Sequence, residues 1–361
     1  MEKIKIILSD LHLAGGLFLE DGSPNSLENF KFDRELSSLF THFSKSKKNV
    51  EFILNGDILD FLNVESKLDQ NTISEVESFK KLKKILRGHK RVFSTLKRVL
   101  EKENVSLTYV IGNHDADFHF KSLQKYFKLH LTGDANSDSI KFISEEYYEI
   151  EGRVQVHHGH QFEAMHTFNH KNPIIEKDGK KYLKLPWGSL FCLKVINRFK
   201  SEHDYVDKVL PHSLFLFASF FNNPLFTIKF SLTTAWYFIK TRIVSIINHQ
   251  NPFKDIFKLF PDEFKLLDDG EGAGKKILKA EREIHAVIMG HTHYPKIVKY
   301  PTGQIYVNTG TWVRMIYLGL KYFGQNSHLP FCLIEYGSDN KPKIRLVEWK
   351  YQEGPFRDLV Y

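Results

Sequence analysis

Five short polar clusters punctuate this chain, and each stands directly behind a hydrophobic run of strand character. In order they are Ser9-Asp10-Leu11-His12, Gly56-Asp57, Gly112-Asn113-His114-Asp115, His158-Gly159-His160 and Gly290-His291-Thr292-His293. The runs ahead of them, at 3–8, 50–55, 105–111, 153–157 and 284–289, are rich in Val, Ile, Leu and Phe and have the length of strands. Strands that each end in such a side chain bring those ends to one edge of a sheet, where open α/β sheets place their sites. The arrangement predicts an α/β fold with a polar site along one rim.

The inventory of side chains suits two metal ions. Asp10 and His12, two residues apart, point the same way from an extended segment, as do His291 and His293. Asp57 has two carboxylate oxygens and can bridge two cations, and Asn113 adds a neutral oxygen. Nitrogen and oxygen ligands without thiolates favour manganese, with iron or zinc as alternatives, over calcium or magnesium. Two divalent cations set against Asp10 and Asp57 would leave the site positive and suited to a phosphoryl group.

With these motifs in this order, the sequence resembles the calcineurin-like metallophosphoesterase superfamily, whose signature is D-x-H, GD, GNH[DE], a GH or HGH element, and GHxH. The resemblance implies a four-layer αββα sandwich with two metal ions at one rim. It implies that Asp10, His12, Asp57 and His293 hold the first ion, and that Asp57 bridges. Asn113, His158 and His291 then complete the second. His114 is expected beside the scissile phosphate as a catalytic acid, oriented by Asp115; a loop-capping role is the alternative for Asp115. Asp60 is read as holding the Gly56–Asp57 loop rather than metal. His160 is placed behind the ligands or toward substrate, with a structural turn as the alternative. Within the superfamily the chain looks most like the UDP-2,3-diacylglucosamine pyrophosphatase group, although His114 stands where that group typically has Arg.

Composition narrows the setting. Of 361 residues, 42% are hydrophobic and 26% charged, a globular balance large enough for a domain with an insertion. The net charge of +8 suits an anionic substrate or an acidic membrane surface. The lysines between 73 and 103 are read as a solvated helix face, so no specific nucleic acid is expected. Cys192 and Cys332 lie in no paired motif and are read as thiols. A cleaved leader would remove Asp10, so the expected location is cytoplasmic, peripheral on the inner face of the membrane.

The core is expected from 1–165 and 266–361, with a helical, apolar-rich insertion at 166–265 acting as lid or cap. Helices are predicted over 28–43 and over 73–103 with a break near Gly88. In the insertion, 190–200 carries an apolar face flanked by Lys194, Arg198 and Lys200. The runs 213–221 and 225–239 are separated by Asn222-Asn223-Pro224, which with Lys229 leaves neither half long enough to span a bilayer. Phe226, Phe230 and Trp236 are read as substrate contacts for an acyl chain. His166 and His170, without a third ligand, are read as incidental. The stretch 270–275 fails the P-loop pattern and is read as a flexible loop. The reading that follows is a hydrolase of a phosphodiester or pyrophosphate in an amphiphilic, lipid or nucleotide-sugar-lipid substrate. A soluble nucleotide phosphodiesterase or phosphatase is the alternative, and a non-catalytic scaffold on the same fold is a third reading.

Overall fold

The structure is a computed structural model describing residues 2–65, 68, 71–163, 165–167, 172–203, 205–210, 212–247, 270–318, 323–326, 328–338, 340–351 and 356–359. Two mixed sheets lie face to face. The first runs through β1 (Lys3–Leu8), β2 (Asn49–Asn55), β4 (Val105–Val110) and β5 (Ile140–Ile143), all parallel. It is completed beyond β1 by the antiparallel β16 (Pro330–Tyr336), β17 (Pro342–Trp349) and β18 (Phe356–Asp358). The second is ordered β12 (Lys296–Lys299), β13 (Ile305–Asn308), β11 (Ala286–Met289), β7 (Val154–His157) and β6 (Tyr147–Ile150).

The reason for stacking is visible in β1. Ile6 and Leu8 face a helical layer, while Ile7 faces the other sheet, where it meets a cluster holding Ile53, Val110, Val156 and Ile288. A strand buried on both faces must be apolar throughout, which is why these runs do not alternate. The helical layer comprises α1 (Asp33–Phe43), α2 (Glu75–Gly88), α3 (Lys90–Leu100) and α4 (Lys121–Thr132). On the far side, the helix Glu271–Ala280 covers Val287, Met289 and Tyr306. Helix, sheet, sheet, helix: these are the four layers expected from the sequence.

Two boundaries differ from the pattern read in the sequence, and a third, at Gly88, matches it. Residues 28–32 are not helical, because the Glu28 carboxylate accepts from the backbone N–H groups of Gly16 (2.7 Å) and Phe30 (2.9 Å). That bracket spends the segment on tying down the chain after the first polar cluster. The break at Gly88 has a packing cause: a Cβ there would overlap the backbone of Gly15 and Gly16. The stretch 270–275, expected as a flexible loop, opens the Glu271–Ala280 helix instead, with Leu278 buried against the second sheet.

The described part of 166–265 is not helical alone. A hairpin of β8 (Ile174–Lys177) and β9 (Lys180–Lys184) pairs with β3 (Thr72–Ser74), and β10 (Val209–Leu210) pairs with β14 (Met315–Leu318). The helical remainder is α5 (Trp187–Phe191), the turn Cys192–Ile196 and α6 (Asn197–Lys200), then α7 (His212–Asn222) and α8 (Pro224–Ile247). Asn223-Pro224 turns the chain between the last two, with Pro224 at the first helical position, where its missing N–H is harmless. No described helix is long and apolar enough to cross a membrane.

Candidate metal centre

The polar clusters leave β1, β2, β4, β7 and β11 at a common rim, but not as extended pairs. Asp10, His12, Asp57, His291 and His293 all adopt left-handed backbone, with φ between 52° and 69°. For a residue with a Cβ this costs roughly 1–2 kcal/mol each, and such strain gathers at functional sites. Its effect is to fold each D-x-H or H-x-H segment tightly, so that both side chains turn into the same small volume. Gly290 makes room for this: a Cβ there would overlap the Asp10 carboxylate.

The donors converge accordingly. The ligand-type atoms of Asp10, His12 and His293 lie within 4.8 Å of one another, and so do those of Asp57, His158 and His291. His12 Nε2 faces His293 Nε2 at 3.1 Å, and His293 Nε2 is 3.4 Å from Asp10 Oδ1. His158 Nε2 lies 3.2 Å from Asp57 Oδ2 and 3.3 Å from Asn113 Oδ1. Asp10 Oδ1 and His291 Nδ1 are buried without a hydrogen-bond partner. Lone pairs facing one another at these distances, some of them orphaned, are the donor set for cations. The residues fit two divalent ions.

The remaining atom of several of these side chains is held from behind. His158 Nδ1 donates to the Asn55 carbonyl (2.8 Å), which leaves Nε2 for the site. Asp10 Oδ2 accepts from the His291 N–H (2.8 Å) and from the Ser9 hydroxyl. Thr311 Oγ1 donates to the Asp10 carbonyl (2.6 Å), so the 308–312 segment braces the first cluster. This fixing of orientation by outer partners is the usual condition of a metal site.

His114 sits at the edge, its backbone N–H donating to Asp57 Oδ1 (2.8 Å). Its orienting partner is Asp60, not Asp115. Asp60 Oδ1 takes His114 Nδ1 (2.9 Å) and Oδ2 takes His12 Nδ1 (3.0 Å), so one carboxylate turns two Nε2 atoms into the site. Asn63 and Leu62 fill its other positions, which leaves Asp60 no capacity for an ion of its own. Asp115 instead accepts from Tyr109 Oη (2.7 Å) and the N–H groups of Ile58 (3.0 Å) and Gly112 (2.6 Å). It caps the loop. The resemblance placed Asp115 on His114, whereas the structure commits Asp115 to Tyr109 and to the backbone of the two loops.

Electrostatics follow from this crowding in the metal-free chain. Burial opposes charging of His158, but Asp57 and Asp10 outweigh it and push its pKa up to about 10. Burial likewise opposes a charged His114, and Asp60 and Asp57 bring it up to about 9. Asp57 is held well below the carboxylate range despite burial, chiefly by His158 and His114. A pocket that recruits protons so strongly is one that favours cations.

Other expected contacts fall elsewhere. His160 is almost fully buried, its ring 5.2 Å from that of His158 and 6.3 Å from that of His291, so it packs behind the ligands and not toward substrate. Phe226 and Phe230 are buried in a cluster with Phe199, Val195 and Phe215 and form the insertion's own core. Trp236 is 65% exposed on the opposite face of α8. Lys200 pairs with Asp207 (2.7 Å) in the interior and is not a surface cation. His166, read as incidental, is brought to the site: its ring is 5.2 Å from that of His291. Glu163, unnoticed in the sequence, meets His291 Nε2 at 2.5 Å. His170 lies outside the described residues.

A family comparison decides what this rim belongs to. Residues 6–295 match the calcineurin-like phosphoesterase family. The chain belongs to that family. It is a metal-dependent phosphoesterase with a dinuclear divalent site, acting on a phosphorylated small molecule. The likeness to the UDP-2,3-diacylglucosamine pyrophosphatase group is not part of that match. No curated protein sequence matches the chain. Among solved structures it is similar to a dimetal phosphatase from Danio rerio, at 10% identity over 96% of this chain and 94% of that one, with a TM-score of 0.38. A predicted phosphoesterase from Streptococcus pneumoniae matches at 10% identity over 99% and 98%, with a TM-score of 0.29. Vacuolar Protein Sorting 29 from Cryptosporidium parvum matches at 12% identity over 99% and 96%, with a TM-score of 0.33.

Proposed function

We propose that this phosphoesterase cleaves a phosphodiester or pyrophosphate bond in an amphiphilic substrate, working at a membrane surface with manganese. Asp10, His12, Asp57 and His293 would hold one ion, and Asn113, His158 and His291 the other, with Asp57 between them. Bound there, the ions supply Lewis-acid charge and an acidified water. The chain's own part is proton transfer. As the oxygen of water bonds to phosphorus and its proton passes to solvent, the P–O bond to the leaving group breaks and His114 Nε2 gives its proton to the departing oxygen, to be reprotonated from solvent afterwards. Asp60 holds the ring for that act by Nδ1.

The observation that carries the amphiphilic reading is the outward face of α8. Leu225 (80% exposed), Ile228, Leu232 (66%), Trp236 and Ile239 recur at helical spacing along one stripe, all in solvent. The buried stripe of the same helix is Phe226, Phe230 and Tyr237. Across the hairpin, Phe217, Phe220 and Phe221 of α7 are also exposed. A helix apolar on both faces has one face for its own core and another for a nonaqueous neighbour. The expected acyl-chain contact therefore moves from Phe226 and Phe230 to this outer stripe. The insertion, 166–265 in the sequence, would act as the docking element while the sandwich does the chemistry.

The ratio of kcat/KM for acylated over deacylated phosphodiesters tests this, measured with Mn²⁺ and mixed vesicles. A ratio well above one that collapses in Leu232→Ser/Trp236→Ser supports it. Equal efficiency on both substrates in the unaltered enzyme leaves a phosphoesterase of soluble compounds such as nucleotides. Absence of hydrolysis by a protein shown to hold metal would return the scaffold reading.

A further inference from the structure

We infer that Glu163 and His166, on the turn after β7, are positioning residues for the second metal ion: Glu163 sets the tautomer of His291 and His166 sets the amide orientation of Asn113. The inference rests on the two-ion assignment proposed above and adds two residues to it. His291 offers two nitrogens. Nε2 is 2.5 Å from Glu163 Oε2, while Nδ1 is buried with no hydrogen-bond partner. A carboxylate only accepts, so it keeps the ring proton on Nε2 and leaves the Nδ1 lone pair for a cation.

Asn113 poses the complementary problem, because its amide can be turned either way. Its Nδ2 lies 3.4 Å from His166 Nδ1 and its Oδ1 lies 3.3 Å from His158 Nε2. In this orientation His166 Nδ1 accepts, and the oxygen faces the ligands. A ring nitrogen that accepts from the amide carries no proton of its own. His166 Nε2 then carries the proton and points to Glu163 Oε2 at 4.0 Å. Asn113, His166, Glu163 and His291 thus form one polar arc around the second ion. The first ion has its counterpart in Asp60, which acts on His12 from another loop.

Glu163, His166 and His291 could be mistaken for a third metal site, since their ligand atoms cluster. That would require His291 to bind ions through both nitrogens, or to leave the buried Nδ1 unmatched. The positioning role satisfies both atoms.

The test is Mn²⁺ binding to chelator-stripped full-length protein, by equilibrium dialysis with metal analysis. The unaltered protein should bind two ions. In Glu163→Ala the first ion should bind as before and report intact folding, while the second weakens about 10–100-fold. Glu163→Gln, which can still accept from Nε2, should recover most of that loss. His166→Ala should weaken the second ion about tenfold and carries the test should Glu163→Ala lose both ions. A second-ion Kd within twofold of the unaltered protein in both alanine variants overturns the inference. So does a third ion in the unaltered protein that disappears in Glu163→Ala. Binding of a single ion by the unaltered protein would instead refute the two-ion assignment.

Discussion

The metal rim and the α7–α8 hairpin solve opposite problems. At the rim nearly every polar atom is tied down: His12, His158, Asp10 and His114 each spend one atom on a fixed partner and turn the other inward. Five of the residues there also bear left-handed backbone. On the hairpin, the apolar stripe from Leu225 to Ile239 is left largely exposed. One region accepts left-handed backbone to fix positions; the other leaves a broad apolar surface exposed. Chemistry demands the first, and the proposed docking would tolerate the second.

The largest expected effect removes the carboxylate proposed to be shared by the two ions. Asp57→Ala should abolish hydrolysis and lower Mn²⁺ content, measured by metal analysis beside a rate assay. Retained turnover in a verified metal-free Asp57→Ala protein would show that the rim is not a two-ion centre. Next, His114→Ala should keep both ions and lose roughly 10²–10⁴-fold in kcat, less with a good leaving group. Asp60→Ala should lose rate and also weaken the first ion, because it frees His12 as well as His114. Asp115→Ala should act on stability, since it strips three donors of their acceptor. A kcat effect of Asp115→Ala without a stability effect would restore it as the partner of His114.

The hairpin should respond in the opposite sense. Leu232→Ser/Trp236→Ser should leave hydrolysis of a small soluble diester nearly unchanged and release the protein from vesicles in a sedimentation assay. Each such side chain withdrawn from water is worth roughly 1.5–3 kcal/mol, against about 1 kcal/mol for a lysine at an anionic surface. Binding should therefore persist at high salt, and its loss at 0.5 M salt would mark the contact as electrostatic. The smallest effect concerns stability away from both regions. Burial disfavours a charged His89, but the hydrogen bonds it donates to Asp33 and Glu28 outweigh burial and raise its pKa to about 9. A raised pKa stabilises fully below the unfolded value near 6.5 and the gain disappears as pH climbs through 9. His89→Gln should cost up to roughly 3 kcal/mol at pH 6 and much less at pH 10, measured by denaturant unfolding.

How much was legible in the sequence depended on whether a role is local. The loops that form the rim could be read because ligand identity and strand pattern sit within a few residues of each other, and the four-layer arrangement followed from the family resemblance that those motifs carry. The α7–α8 break could be read for the same reason, since Asn-Asn-Pro acts on the chain it belongs to. The helix start at Asp33 could not, because Glu28 is claimed by Gly16 and Phe30. Nor could the division of α8 into a buried and a wet stripe, since both are equally apolar.

The sequence by itself determined which residues can bind metal and that they share an edge, because side-chain chemistry and strand periodicity are properties of short segments. Tertiary structure alone decided who holds them. Asp60 rather than Asp115 reaches His114, Glu163 arrives at His291 across 128 positions, and Phe226 turns inward while Trp236 turns out. A hydrogen bond is satisfied by whichever acceptor lies at the right distance and angle, and that is settled only when the distant loops have packed.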